Sequence, residues 1–381
     1  MKSSSGPSAD LSAATPTSSA QRVIAIDALR GFDMYWIVGG QELALAIAKY
    51  FANPVPEGVV YQLEHPPWMG FAAWDLIMPL FLFIVGAAMP FSFAQRLERG
   101  ESRQQLLWKI VRRVVILFVL GMIVQGNLLD FKLSTLHVFS NTLQAIAAGY
   151  LVAGVVMLNV GVVGQLIVTA ALLTSYWLLM MYVPFAGHPA GTLEPHANLS
   201  LSVDEWVLGR FRDGTTYTWV LSGLTFAATT LLGVQAGNLL RSRMTPMQKL
   251  WWLVVAGLVC LAVGWVWAEW LHFPIIKHIW TSSMTLWAAG WSFLLLAAFY
   301  LLIDIAGWQR WAFPFVVYGA NAITIYVAYH LLPFQSVSKK LVGGLANHLG
   351  AAGPVLVTFT SVLLGWLAMY HLYRQKIFLR V

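Results

Sequence analysis

Residues 76–94 read Leu-Ile-Met-Pro-Leu-Phe-Leu-Phe-Ile-Val-Gly-Ala-Ala-Met-Pro-Phe-Ser-Phe-Ala, an apolar run without a charged side chain. A helix that crosses the hydrocarbon layer of a membrane needs about 20 mostly apolar residues. Segments of this kind follow one another along the chain at 23–48, 74–95, 107–126, 136–158, 160–183, 217–241, 249–271, 280–303, 312–331 and 352–374. The sequence therefore predicts an all-α fold, a polytopic membrane helix bundle with about ten transmembrane helices.

The composition supports this fold class. Of the 381 residues 59% are hydrophobic and 10% are charged, against roughly 25% charged residues in a soluble domain. A soluble enzyme, a disordered protein and a nucleic-acid binder are excluded, because each needs more charge than this chain has. The net charge of +7 comes from basic residues that lie mostly in short loops between helices. The single cysteine, Cys260, cannot form an intrachain disulfide.

The distribution of basic residues predicts the orientation in the membrane. With the N-terminus in the cytoplasm, 15 of the 23 Lys and Arg residues fall in cytoplasmic segments and 7 on the other side. Cytoplasmic loops are enriched in Lys and Arg, so both termini are expected in the cytoplasm. Residues 1–21, rich in Ser, Ala, Thr and Pro, are predicted to be a disordered cytoplasmic tail. Residues 22–381 form the transmembrane domain.

The location of a functional site is also indicated. The outside segments 49–73, 184–216 and 332–351 are long, whereas the inside loops are short and basic. Long loops carried on one face of a rigid bundle are where a site for an external substrate is expected. The chain length and the lack of a secretory signal peptide place the protein in a bacterial inner membrane as a multi-pass protein.

Ionisable and amide groups in the first span require a structural or functional explanation, because placing them in the hydrocarbon layer costs free energy. Asp27 and Arg30 stand three residues apart on one helical face. They form either an intrahelical ion pair or a cationic site for an anion. Gly39-Gly40 then interrupts the same span, where paired glycines allow a helix to bend. Gln41 follows directly and is expected to face a polar cavity.

His65 and Asp75 are the strongest candidates for chemistry. His65 precedes two prolines, which favours an extended loop. Asp75 opens the next span, where an acid also stabilises a helix N-terminus. Taken singly, the two residues are explained by an interfacial loop histidine and a helix cap. Together they fit a general base, because a carboxylate beside an imidazole fixes its tautomer and raises its basicity.

These residues belong to four stretches that resemble the heparan-alpha-glucosaminide N-acetyltransferase family and its bacterial relatives. The stretches are Ile26-Asp-Ala-Leu-Arg-Gly31, His65-Pro-Pro-Trp-Met-Gly70 with Asp75-Leu, Leu232-Gly-Val-Gln-Ala-Gly237, and the closing set of Ile279-Trp280, Tyr318-Gly-Ala-Asn321 and Tyr373-Arg-Gln-Lys-Ile-Phe378. They occur in the order found in the family and extend over residues 22–381.

The resemblance implies an acetyltransferase that uses acetyl-CoA as the acyl donor from the cytoplasmic side. The acceptor is an amino sugar or other glycan on the periplasmic side. It implies that His65 is the catalytic base or acetyl carrier, with Asp75 orienting it. Gln41 stands where the family usually has Asn, and is expected to donate a hydrogen bond to the oxyanion. Heparan sulfate itself does not follow as the substrate.

The cofactor-binding candidates lie towards the cytoplasmic side. Arg30, Arg112 and Arg113 are expected to hold the phosphates of CoA, and Asn321 joins them from the closing motif. Ordinary positive-inside topology is the alternative for the arginines. No zinc-ligand spacing appears, so no metal is expected. The further partners expected are membrane lipid and, from the resemblance alone, a second copy in a homodimer.

Other functions remain open at this stage. Polar residues in interrupted spans also fit a transporter of a small solute or a flippase of a lipid-linked glycan, although no internal repeat is found. A non-catalytic membrane scaffold is a third alternative. If the chain is a transferase, the acceptor either attacks acetyl-CoA directly or takes the acetyl group from an acetylated His65.

Overall fold

The computed structural model describes residues 23–378, whose regular secondary structure is almost entirely helical. The helices are α1 (Ile24–Tyr35), α2 (Gln41–Phe51), α3 (Glu57–Leu63), α4 (Ile77–Glu98), α5 (Arg103–Val124), α6 (Thr142–Asn159), α7 (Val162–Tyr182), α8 (Leu199–Leu208), α9 (Gly223–Arg241), α10 (Pro246–Trp270), α11 (Ser282–Phe299), α12 (Phe313–Ala320), α13 (Ala322–Leu331), α14 (Phe334–His348) and α15 (Gly353–Arg374). A two-residue hairpin pairs β1 (Leu193–Glu194) with β2 (Ala197–Asn198). The tail predicted at residues 1–21 lies outside the described residues.

Six helical segments within residues 23–378 are long and apolar enough to cross a membrane. They are Ala73–Glu98, Thr142–Asn159, Val162–Tyr182, Pro246–Trp270, Ser282–Ile305 and Gly350–Arg374. The other four predicted spans also coincide with helices, but two are broken and the helix α5 carries several basic residues. The protein is therefore a multi-pass helical membrane protein, and the number of ten spans stays a prediction.

Helix α4 lies at the centre of the bundle and packs closely on α9. The contact needs glycine, because a Cβ atom on Gly233 would lie 2.0 Å from the carbonyl oxygen of Phe83. A Cβ atom on Gly237 would lie 2.3 Å from that of Ala87. The spacing of these two glycines indicates close helix packing, and the structure confirms it.

The first predicted span is broken at the paired glycines. Residues Trp36–Gly40 form a short π-helical segment between α1 and α2, in which Gly39 has φ of 123°. Only glycine adopts this backbone conformation without strain, so the bend predicted from the sequence is confirmed. At the other end of α1, the carboxylate of Asp304 accepts hydrogen bonds from the backbone N–H groups of Ile24 and Ala25, at 3.1 and 2.9 Å. Asp304 thereby fixes the start of α1.

The long segments predicted as outside loops contain structure of their own. Residues 332–351, expected as a loop, hold the 15-residue helix α14, which packs against α15 through the buried Ser338. Its small and polar residues weaken the apolar signal that marks a span. Residues 49–73 contain α3, and residues 184–216 contain the β-hairpin and α8. The span predicted at 312–331 is divided into α12 and α13 at Asn321.

Candidate active site

His65 and Asp75 lie in direct contact. Nδ1 of His65 is 2.6 Å from Oδ1 of Asp75, whose side chain is 1% exposed. An ionised carboxylate can only accept hydrogen bonds, so Nδ1 donates and Nε2 of the neutral ring carries the free lone pair. The imidazole side chain is 34% exposed. The arrangement therefore offers an oriented base whose reactive nitrogen is accessible.

Asp75 also lies in the short 3-10 helix Ala73–Leu76 that leads into α4. Its second oxygen, Oδ2, accepts a hydrogen bond of 2.9 Å from the backbone N–H of Ala72. The carboxylate thus caps a helix N-terminus, as its position in the sequence suggests, and orients His65 at the same time. The two oxygens of Asp75 therefore have different partners, one in the imidazole of His65 and one in the helix cap.

A third charged residue joins this pair. Nζ of Lys277 lies 3.5 Å from Oδ1 of Asp75, and 3.4 and 3.5 Å from Nδ1 and Nε2 of His65. Lys277 is 6% exposed, and this burial lowers its pKa to about 8. Burial also lowers the pKa of His65, and the ammonium of Lys277 adds to this, against the opposing hydrogen bond to Asp75. His65 is therefore neutral at pH 7.

The two loops that carry His65 and Lys277 are held together by backbone hydrogen bonding. Met69 and Ile276 form an isolated antiparallel bridge, and the N–H of Gly70 donates to the carbonyl of Ile275 at 3.0 Å. Gly70 has φ of 115°, and a Cβ atom there would lie 2.9 Å from the hydroxyl of Tyr61. Glycine at this position therefore lets the first loop approach the second.

Aromatic rings surround the accessible side of His65. The rings of Trp74 and Tyr217 have centroids 6.2 and 6.4 Å from that of His65. Tyr217 stacks on His278, with centroids 4.2 Å apart and an interplanar angle of 9°, and Trp68 lies 5.2 Å from the same imidazole. Half-buried aromatic faces beside a base provide an apolar platform for a ring-shaped ligand.

Gln41 lies near this centre and supports its loop. The amide Nε2 of Gln41 donates a hydrogen bond to the carbonyl oxygen of Leu63, two residues before His65. The side-chain amide of Gln41, expected from the sequence to donate to an oxyanion, thus donates to a backbone carbonyl in this structure. Gln41 follows the π-helical segment directly, so the bend at Gly39 brings α2 to the loop that carries His65.

The four cofactor-binding candidates lie on three other elements. Arg30 on α1 pairs with Asp27 at 3.4 Å, as the three-residue spacing predicts. Asn321, between α12 and α13, is buried and donates to the carbonyl of Ile377 at 3.1 Å. On α5, Arg112 is exposed, and the guanidinium of Arg113 lies 4.4 Å above the ring of Tyr150.

Comparisons with known proteins relate the chain to N-acetyltransferases. Residues 22–155 match a family described as a domain of unknown function, DUF5009. The heparan-alpha-glucosaminide N-acetyltransferase of Mus musculus is 26% identical over 98% of this chain and 63% of its own length. The protein of that name from Homo sapiens is 25% identical over 85% of this chain and 56% of its own. The chain is a distant relative of these acetyltransferases. It spans about three-fifths of their length.

Lys277 is the residue of this site that the sequence analysis does not select. It is one of the seven basic residues that fall outside the segments predicted to be cytoplasmic. The sequence does contain a signal that marks Lys277. Lys277 and His278 interrupt the otherwise apolar stretch Phe273-Pro-Ile-Ile-Lys-His-Ile-Trp280. A lysine that follows two isoleucines in such a stretch is expected to be buried, and a buried lysine needs a partner. The sequence does not say which partner, because His65 is more than two hundred residues away.

Proposed function

We propose that this chain is a membrane-embedded acetyltransferase that moves an acetyl group from cytoplasmic acetyl-CoA to an amino sugar or other glycan acceptor on the periplasmic side. The observation that carries the proposal is the contact between Nδ1 of His65 and Asp75, which places the lone pair of the neutral imidazole on Nε2, the nitrogen that would act as the base. The relation to N-acetyltransferases supports the reaction class. The aromatic rings beside His65 support an acceptor with a sugar ring.

The proposed reaction is a direct transfer. The acceptor nitrogen forms a bond to the thioester carbon, and the carbonyl electron pair moves onto oxygen. Nε2 of His65 takes the proton that the acceptor nitrogen loses. The carbon–sulfur bond then breaks, and the departing CoA thiolate takes this proton from His65. The products are the acetamide and the CoA thiol. Asp75 holds the imidazole in the required tautomer throughout.

The proposed topology places this centre on the outer side of the membrane. Ten spans with both termini in the cytoplasm are supported by the excess of basic residues in the segments assigned to that side. Residues 22–381 then form one transmembrane acyltransferase domain in a bacterial inner membrane. Helix α4 runs from the site to the cytoplasmic side, and its 22 residues span about 33 Å at 1.5 Å per residue.

The donor side is assigned to Arg30, Arg112, Arg113 and Asn321. The residues fit a phosphate ligand in one specific respect: Nε of Arg113 is buried and has no hydrogen-bond partner within residues 23–378. A buried donor without a partner is costly, and a phosphate oxygen would satisfy it with a charge-assisted hydrogen bond. Arg30 and Asn321 would contribute from α1 and from the junction of α12 and α13.

The proposal is tested with purified protein in detergent. CoA and acetyl-CoA at 100 times their Kd should stabilise the fold by about 2.7 kcal/mol, because a ligand that binds only the folded state shifts the unfolding equilibrium. Glucosamine incubated with acetyl-CoA should give N-acetylglucosamine, detected by mass spectrometry. Absence of any response to CoA, together with uptake of a solute into vesicles, would instead establish a transporter.

A further inference from the structure

Lys277 is costly to bury, and its contacts indicate more than an ion pair. Removing an ammonium group from water costs several kcal/mol. The carboxylate that it contacts, Asp75, already binds His65 and the backbone N–H of Ala72. Buried ion pairs of this kind are often no more stabilising than apolar residues of similar volume. The position of Nζ, 3.4 to 3.5 Å from both imidazole nitrogens, indicates a role in the chemistry of His65.

We propose that Lys277 is a catalytic residue, whose ammonium keeps His65 uncharged before the reaction and stabilises the oxyanion that forms during it. The inference rests on the acetyl transfer proposed above and adds a residue to it. It follows from the position of one buried cation beside both the base and the carboxylate that orients it.

The first part of the role follows from charge repulsion. A protonated His65 would place a second positive charge 3.4 Å from Nζ of Lys277, which is unfavourable in a partly buried site. Asp75 acts in the opposite direction. His278, which stacks on Tyr217 beside this centre, is uncharged at pH 7, because burial lowers its pKa to about 4. Lys277 and Asp75 therefore set the charge of His65.

The second part follows from the position of the reacting carbon. When Nε2 of His65 removes the acceptor proton, the thioester carbon must lie close to that nitrogen. Nζ of Lys277 is 3.5 Å from Nε2, so the oxygen of the adduct comes within hydrogen-bond reach of the ammonium. A fixed cation in a site with little water is an effective stabiliser of such an oxyanion. Gln41 is engaged with Leu63 and leaves this role to Lys277.

The effect on His65 can be measured without any enzymatic activity. Diethyl pyrocarbonate modifies neutral imidazole, and peptide mass spectrometry reports the modification of His65 as a function of pH. In the wild-type protein its midpoint should lie below about 6.5, the ordinary value for histidine. Lys277→Met should raise the midpoint by about one pH unit, whereas Lys277→Arg, which retains the charge, should leave it low. An unchanged midpoint in Lys277→Met would overturn the first part of the role.

The effect on the reaction is measured in the same variants. Lys277→Met should lower kcat about 100-fold or more at saturating acetyl-CoA, with the CoA-induced thermal shift unchanged. The wild-type rate should fall as the pH rises through about 8, where Lys277 loses its proton, and this limb should be absent in Lys277→Met. A folded Lys277→Met protein with near-normal kcat would refute the catalytic role. Failure of the wild type to acetylate any acceptor would refute the proposed function, while the modification midpoints would still report the effect on His65.

Discussion

The two ends of helix α4, named outer and inner after the proposed topology, differ in how their charged residues are arranged. At the outer end, His65, Asp75 and Lys277 lie within 3.5 Å of one another and two of them are buried. Towards the inner side, the basic residues of α5 are mostly exposed, and Arg113 has an aromatic ring as its partner. Contacts between buried charges are strong and not additive, whereas exposed charges interact weakly through solvent. Single substitutions should therefore have large effects at the outer end and small ones at the inner end.

The largest effect is expected for His65→Ala. Removal of the base should reduce acetyl transfer by at least 1,000-fold. The half-exposed side chain contributes little to the core, so the protein should remain folded and in the membrane. Acetyl transfer and size-exclusion profiles in detergent measure both properties. His196→Ala, at an exposed histidine on the same face, should retain full activity. Near-normal transfer by His65→Ala would remove His65 from the mechanism.

Asp75→Asn should have a similar effect on the rate and a larger effect on stability. The amide cannot orient the imidazole as a carboxylate does, and a loss of about 10³- to 10⁴-fold in kcat is expected. The variant also leaves Lys277 buried without its counter-charge, at a cost of roughly 3–5 kcal/mol. Thermal unfolding monitors this cost. The double variant Asp75→Asn with Lys277→Met should recover part of the stability and none of the activity. A single variant as stable as the wild type would contradict the ion pair.

The sequence predicts some of these features and misses others. The helices follow from apolar runs, and the bend at Gly39 follows from paired glycines. The pairing of His65 with Asp75 can be predicted from the sequence, because the two residues are only ten positions apart and a single loop joins them. Lys277 is not recognisable in this way, since its contact with His65 depends on a bridge between Met69 and Ile276. Helix α14 is missed because its glycines and lysines obscure the apolar pattern.

An intermediate effect is expected for Gly70→Ala. A non-glycine residue at φ of 115° is strained by about 1–3 kcal/mol, and the new Cβ atom would displace the hydroxyl of Tyr61. The loop that carries His65 would then move relative to Lys277. A displacement of this size should lower kcat by about 10- to 100-fold, with a lower melting temperature. Gly58→Ala is the matched control, because a Cβ atom there meets open space. Equal behaviour of the two variants would argue against the close approach at Gly70.

The smallest effect is expected at the inner end. Arg113→Ala should raise the KM for acetyl-CoA about 10-fold, which corresponds to one charge-assisted hydrogen bond, with kcat unchanged. The effect should decrease at high salt, since partly exposed charges are screened. Arg103→Ala, at an exposed position on the same helix, should change the KM by less than about 2-fold. A KM that is unaffected by Arg113→Ala would indicate that this arginine contributes only to the orientation of the protein in the membrane.

In the proposed function an acetyl group passes from a cytoplasmic donor to an acceptor on the other side of the membrane, with His65 as the base. Proteoliposomes loaded with glucosamine, with radiolabelled acetyl-CoA supplied outside, measure this directly when the fraction of protein with its cytoplasmic face outward is known. The proposed function predicts labelled N-acetylglucosamine inside the vesicles, in proportion to that fraction, and none with His65→Ala. Labelled product that appears equally with His65→Ala, or none with the wild type under conditions where CoA binds, would contradict it.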